Sequence, residues 1–248
     1  MASTTESKGP GPYVTPKEQD LRPGAVDDYV NSHLQTPASN KYHDALEHIR
    51  EKSIAAGLPD IACSAAQAKY LAIQVKIAKA KNILELGTLG GFSAAWMASA
   101  GPDVKVTTVE LEEHNANVAS KNIAEAGLQN QIEIKRGAGL DVLPKLVAEV
   151  QSGQRPEFDF IFIDADKQNN LAYLNLALLA SRPGTVVIVD NVVRQGRIAY
   201  LEEAAKDERI SATRNLIETI GKDERLDATV IQTVGEKQYD GFLFAIKK

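Results

Sequence analysis

The 248-residue chain has a single cysteine, one tryptophan and two methionines, and aromatic residues make up only 6% of it. One cysteine, Cys63, excludes an intramolecular disulfide framework and suits a reducing compartment. On its own it reads as a small apolar packing residue. Nowhere do about 18 apolar residues run unbroken, so no membrane span is expected. The opening 1-MASTTESKGPGPYVTP-16 lacks the apolar stretch of a secretory signal. Positive charge is not in excess either. Against 33 Asp and Glu stand 28 Lys and Arg, a formal net charge of −5, which argues against a nucleic-acid-binding surface. The four histidines (His33, His43, His48 and His114) show no ligand spacing. These absences lead to the expectation of a cytoplasmic protein with no nucleic-acid and no membrane partner.

What is present has the composition of an ordinary globular domain, 44% hydrophobic and 25% charged. Residues 1–24 are rich in Gly, Pro, Ser and Thr and read as a flexible arm. Helical spacing follows over 25–34, 42–56 and 64–78. The second of these stops at Gly57 with Pro59 beyond, and Ser64 is a fitting N-cap for the third. From residue 82 strands and helices alternate, which implies βαβ units and a parallel sheet. The strands are read at 82–86, 105–110, 132–136, 158–164 and 185–190, with helices at 92–99, 112–126, 140–150 and 169–180. A helix over 204–220 then leads to strands 228–233 and 241–246, joined as a hairpin. The fold expected is α/β, a Rossmann-like doubly wound seven-stranded sheet. It is mostly parallel, with a C-terminal antiparallel hairpin, helices on both faces and an N-terminal helical extension. Residues 25–248 form one domain, with helices over 25–80 and the Rossmann-like core over 81–248.

Chemistry gathers at the strand ends, where open α/β sheets bind their ligands. The run 158-FDFIFIDADKQNN-170 ends in Asp164, Asp166 and Lys167, and its echo 184-GTVVIVDNVVRQG-196 ends in Asp190 and Asn191. The first strand-to-helix turn, 85-ELGTLGGFS-93, is glycine-rich, so backbone approaches a ligand closely there. It does not satisfy G-x-G-x-x-G, because Leu89 stands at the second glycine position. Glu85 at the end of the strand would repel a pyrophosphate, so a cationic or zwitterionic ligand is expected. Glu110 ends the next strand 23 positions after Gly87, the place of an acid that binds a ribose diol.

The turn from Glu85 to Gly91 resembles the S-adenosylmethionine turn of class I methyltransferases. The later segments are similar to the cation-dependent catechol and caffeoyl-CoA O-methyltransferase family. The match is collinear from about Ser64 to Ile246 and includes 137-GAGLDVLPKL-146, which resembles the family loop beside the adenine. Its most specific parts are Asp-Ala-Asp-Lys at 164–167 and Asp-Asn at 190–191. The resemblance implies that residues 25–248 are a methyltransferase domain. It implies that Glu85, Gly87, Thr88 and Ser93 hold the methionine end of S-adenosylmethionine, with main chain near Cys63 closing over it. Glu110 would bind the ribose hydroxyls, Gly139 would border the adenine, and Asp164 and Asp166 would also touch the cofactor. Asp164, Asp190 and Asn191 would ligate a divalent cation, and the family resemblance implies a homodimer.

Such a site suits one reaction. A phenol has a pKa of about 10, and chelation of two vicinal hydroxyls by a cation acidifies the attacking oxygen. Two carboxylates and an amide select a hard cation, Mg²⁺ or else Ca²⁺ or Mn²⁺, over zinc. Lys167, with Asp164 three residues before it, is the expected general base. The expected substrate is a small aromatic diol: a catechol, flavonoid or related polyphenol. Arg194 and Gln195 stand where many family members carry Trp followed by Asn or Gly. The segment Ser211, Ala212, Thr213, Arg214 lacks the tyrosines that plant caffeoyl-CoA enzymes present to a thioester. A CoA-linked phenol is therefore the alternative substrate, and a non-catalytic nucleotide-fold binding protein the alternative of another class.

Overall fold

The structure, a computed structural model, describes residues 21–237 and 239–248. The arm read over 1–24 lies outside the described residues as far as residue 20. Residues 22–24 belong to the first helix, α1 (Arg22–Leu34), which carries a proline in its first turn. A proline at that point loses no internal hydrogen bond, which is why the helix begins before Ala25.

Five strands run parallel: β1 (Asn82–Leu86), β2 (Lys105–Glu110), β3 (Ile132–Arg136), β4 (Phe158–Ile163) and β5 (Ser181–Val189). The antiparallel pair β6 (Leu226–Thr233) and β7 (Asp240–Lys247) completes a seven-stranded sheet of order β3-β2-β1-β4-β5-β7-β6. The expected fold class is thus observed. β5 starts earlier than expected because Phe158 pairs with Ser181 across a register shift, ahead of the regular ladder from Phe160.

Both faces of the sheet are covered, so the central strands are apolar at nearly every position rather than alternating. Ile83, Phe160 and Phe162 point into the layer made by α2 (His43–Ala55), α3 (Ala65–Ile77), α4 (Phe92–Ala98) and α5 (Glu113–Glu125). Leu84, Leu86, Ile161 and Ile163 point into the layer of α6 (Gly139–Gln151), α7 (Asn170–Leu179) and α9 (Glu208–Ile220). The helix expected over 204–220 is divided into α8 (Leu201–Ala204) and α9. Asp207 causes the division: its extended backbone breaks the helix, and its side chain accepts from the Arg209 amide to cap the next one.

The carboxyl edge of the sheet is stitched one residue beyond the strands. Gly87 donates to the Val109 carbonyl at 3.0 Å, Asp164 to Leu86 at 2.8 Å, Asp190 to Ile163 at 2.9 Å and Gly137 to Glu110 at 2.9 Å. These bonds bring four loops to one place. The closest approach to main chain is at Gly87, where a Cβ would stand 2.1 Å from the Asp164 carbonyl oxygen and φ is +95°. Gly87→Ala therefore meets both a left-handed backbone and a main-chain clash. We expect it to cost about 3 kcal/mol or more in urea unfolding; a loss below about 0.5 kcal/mol would show that the loops part readily.

Candidate active site

Above this edge lies a cavity of about 550 Å³, bordered by the loops after β1, β2, β3, β4 and β5 and roofed by residues 59–63. Cys63, Gly87, Thr88, Ser93, Glu110, Gly139, Asp164, Asp166, Lys167 and Asn191 all border it. Glu85 and Asp190 stand behind its wall, buried at 0% and 5% exposure.

The glycine turn is built around two carboxylates. Glu85 accepts from Ser93 Oγ at 2.6 Å and from Thr108 Oγ1 at 2.5 Å, and Thr108 is bonded in turn to the Thr88 hydroxyl at 2.6 Å. Burial pushes the Glu85 carboxyl up to about 8 against the pull of these hydroxyls, with the negative charges of Asp164 and Glu110 adding to the rise. Glu110 Oε2 accepts the amides of Thr88 at 3.2 Å and Leu89 at 2.8 Å, while Oε1 accepts from Glu112 N at 3.0 Å and Asn115 Nδ2 at 3.3 Å. Leu89 is left-handed, φ 49°, at the position where the dinucleotide fingerprint has glycine. The amides that would cradle a pyrophosphate are thus occupied by Glu110, which accounts physically for the departure from that fingerprint. Asn122 holds the turn from behind, donating to Gly90 O at 3.0 Å and to Ser53 Oγ at 3.1 Å.

At the ends of β4 and β5, Lys167 Nζ donates to Asp164 Oδ1 at 2.8 Å, and the lysine itself is buried. Burial, and after it the Asp164 charge, pushes the Asp190 carboxyl up to about 7, with Lys167 acting in the opposite direction. Asn191 is held left-handed, φ 57°, and donates its amide to Asp190 Oδ1 at 2.8 Å. Two carboxylates crowded beside one ammonium and an amide leave a negative excess that suits a divalent cation. Among the described residues no group of three or more His, Cys, Asp or Glu side chains is placed to hold a metal ion.

Several residues of the site carried no signal in the sequence. Tyr173 borders the cavity and donates to Asp166 Oδ1 at 2.5 Å, and Asn169 donates to Oδ2 at 2.5 Å. Arg50 grips Asp60 in the roof with two bonds of 3.1 Å, and Lys237 adds a third at 2.9 Å. Together they hold the Asp60 carboxyl down at about 2. Tyr173 and Arg50 sit at helix positions that read as packing or solvent, and only the tertiary fold brings them to the cavity.

The O-methyltransferase family profile matches residues 36–247. O-methyltransferase imqG of Aspergillus flavus is 44% identical over 230 residues, 93% of this chain and 93% of that one. A catechol O-methyltransferase of Niastella koreensis is 41% identical, covering 90% of this chain and 97% of its own. The crystal structure of an O-methyltransferase from Bacillus cereus in complex with SAH superposes with a TM-score of 0.83 at 42% identity, covering 92% of this chain and 99% of that one.

The buried carboxyls set a pH dependence. Both Glu85 and Asp190 have folded values above their ordinary ones. The stability they contribute is full below about pH 4 and is lost as pH rises through 7 and 8. In EDTA and without ligand, the melting temperature is expected to fall between about pH 5 and 8. Glu85→Gln should flatten the upper part of that fall; an unaltered profile in the variant would contradict the assignment.

Proposed function

This chain belongs to the O-methyltransferase family, and from that premise we propose that it methylates one hydroxyl of a vicinal-diol aromatic with S-adenosylmethionine beside a divalent cation. The observation that carries the reading is the meeting of Asp164, Lys167, Asp190 and Asn191 at neighbouring strand ends, Asp190 buried just behind the wall of a cavity whose β2 side carries Glu110. The relative named catechol O-methyltransferase supports a catechol, and the SAH complex supports the cofactor.

S-adenosylmethionine supplies a methyl group on a sulfonium, so the chain's task is to hold and orient. Ser93 and Thr88, backed by Glu85, take the methionine end, and main chain at Cys63 covers it. Glu110 would hold the ribose diol, its carboxylate already oriented by the Thr88, Leu89 and Glu112 amides. Gly139 and Asp166 lie at the adenine end. Asp164, Asp190 and Asn191 offer oxygen donors of the kind that hold Mg²⁺, or Ca²⁺ and Mn²⁺. A cation held there supplies Lewis acidity toward the two hydroxyls of the substrate. Lys167, fixed on Asp164, is the general base of this reading, with Nζ placed to take the phenolic proton. Orientation of the phenol oxygen in line with the methyl provides much of the remaining acceleration.

A free diol is favoured over a CoA-linked phenol. Thr213 of α9 is fully buried and spends its hydroxyl on the Arg209 carbonyl, so that stretch offers no tyrosine-like surface to a thioester. The same reading pairs two copies of the chain. Val26 and Leu34 on α1 and Ile73 and Ile77 on α3 are exposed apolar residues at helical spacing, and light scattering is expected to give the mass of a homodimer. No helix of the described residues is long and apolar enough to cross a membrane.

The test is incubation with S-adenosylmethionine, Mg²⁺ and a panel of vicinal diols and isolated phenols, followed by mass spectrometry. Monomethylated diol is expected, and EDTA should abolish it; turnover indifferent to EDTA, or confined to isolated phenols, would overturn the reading. Asp190→Ala is expected to lower turnover roughly a hundredfold or more while SAH affinity is retained. Lys167→Met should reduce kcat by about 10²-fold or more with the KM for cofactor unchanged.

A further inference from the structure

The arginines around the loop after β5 are committed, with one exception. Arg197 holds Glu203 at 2.9 Å and Asp207 at 3.1 Å. Arg214 donates to the Ile198 carbonyl at 2.5 Å and to Glu218 at 3.4 Å. Arg194 has no such hold. Its Nε is buried without a hydrogen-bond partner, and no ion pair among the described residues takes its guanidinium. The acids of the loop are spent elsewhere. Glu203 and Asp207 hold Arg197, and Asp240 Oδ1 accepts the amides of Val193 at 3.1 Å, Arg194 at 2.8 Å and Gly241 at 2.9 Å. A buried donor without an acceptor costs free energy until something supplies one.

The loop keeps this group close to the site. Asn191 borders the cavity, and Arg194 follows three residues later, a span of at most about 11 Å. The segment Arg194–Ala199 packs against α9 and β7, and α9 packs in turn against Lys167–Asn169. Arg194 and Lys167 thus share one support. Asn191, Arg194 and Gln195 are all left-handed, with φ of 57°, 53° and 59°. Side chains rarely adopt that backbone, and the Asp240 carboxylate helps to hold it there through two amides. A loop held against its preference fixes the direction in which Arg194 leaves the chain.

Charge decides what the guanidinium can receive. The cavity edge carries Glu85, Glu110, Asp164 and Asp190, and Lys167 is spent on Asp164. An anionic substrate meets that excess unless a cation stands at its outer end. A guanidinium presents a planar fork of donors that matches the two oxygens of a carboxylate. We propose that Arg194 is a specificity-determining residue that pairs with a carboxylate borne on the ring of the diol, so that the substrate class is the aromatic dihydroxy acids. The inference deepens the reading above and rests on its placement of the diol at Asp190 and Asn191.

Calorimetric titration of 3,4-dihydroxybenzoate and 3,4-dihydroxybenzamide into the protein saturated with S-adenosylhomocysteine and Mg²⁺ tests this, alongside kcat/KM for both with S-adenosylmethionine. The two ligands share the diol and the ring and differ in charge. The unsubstituted protein is expected to favour the acid about tenfold or more in both measurements. Arg194→Met keeps a long stem without the charge and should bring the ratio to about twofold or less. Arg194→Lys keeps the charge without the fork and should give a ratio between the two. Circular dichroism melts confirm that both variants are folded. A ratio near unity in the unsubstituted protein, or one unchanged in Arg194→Met, overturns the proposal. An equal loss for both ligands in Arg194→Met overturns it too, because a guanidinium stacked on the ring would serve both alike. Mg²⁺-dependent methylation of both ligands at equal efficiency leaves the reading of the diol site standing and sinks the proposal alone. If neither ligand binds or is methylated, the placement of the diol falls and the proposal with it.

Discussion

The approach of Gly87 to the Asp164 carbonyl is the constraint on which the rest of the site depends. Parallel register places the ends of β1 and β4 side by side, and one main-chain bond from Asp164 to Leu86 carries the ladder past both strands. Only a residue without Cβ tolerates the result. From that contact the glycine turn faces one way and Asp164 with Lys167 the other, so the two halves of the cavity share a rigid seam. Function here comes from backbone sterics before any side chain acts.

The second constraint is charge. Glu85, Glu110, Asp164 and Asp190 lie along one sheet edge with Lys167 as the nearby ammonium. Burial raises both Glu85 and Asp190 by stripping water from the charged form, and neighbouring negative groups add to the rise. Such an arrangement costs stability in the unligated protein, the usual signature of a site held ready for cations. A sulfonium and ammonium on the β1 side and a divalent metal on the β5 side would relieve the same excess. The left-handed Asn191 adds a further cost at the same point.

Much of this was legible in the sequence, for identifiable reasons. β1, β2 and β3 fall where the apolar runs place them, because strands buried on both faces leave continuous hydrophobic signals. Glu110 was visible because its distance from Gly87 follows from one βαβ unit. The start of β5 was not, since Arg182, Pro183 and Gly184 read as a turn until Phe158 supplies a pairing partner for Ser181. The break between α8 and α9 was hidden because Asp207 looks like any surface acid in a helix until its cap is seen. Tyr173 was missed for a different reason. Its spacing in α7 is that of a core residue, and its ring does pack in the core, while the residue also borders the cavity. The one available hint was Gly139, a glycine opening a helix with no turn to justify it, where a Cβ would stand 2.6 Å from the Tyr173 ring. How Glu85 works also needed the structure: it stands behind Ser93 and Thr108 rather than on the cavity wall.

The central claim is that Asp164, Asp190 and Asn191 hold a cation on which the diol's binding depends. The most direct measurement is calorimetric titration of a catechol into the protein saturated with S-adenosylhomocysteine, with Mg²⁺ present and with Mg²⁺ removed by EDTA. The account requires one diol bound per chain with Mg²⁺ and no measurable binding without it. Equal affinity under both conditions would show that the diol is held by the protein alone, and would contradict the claim.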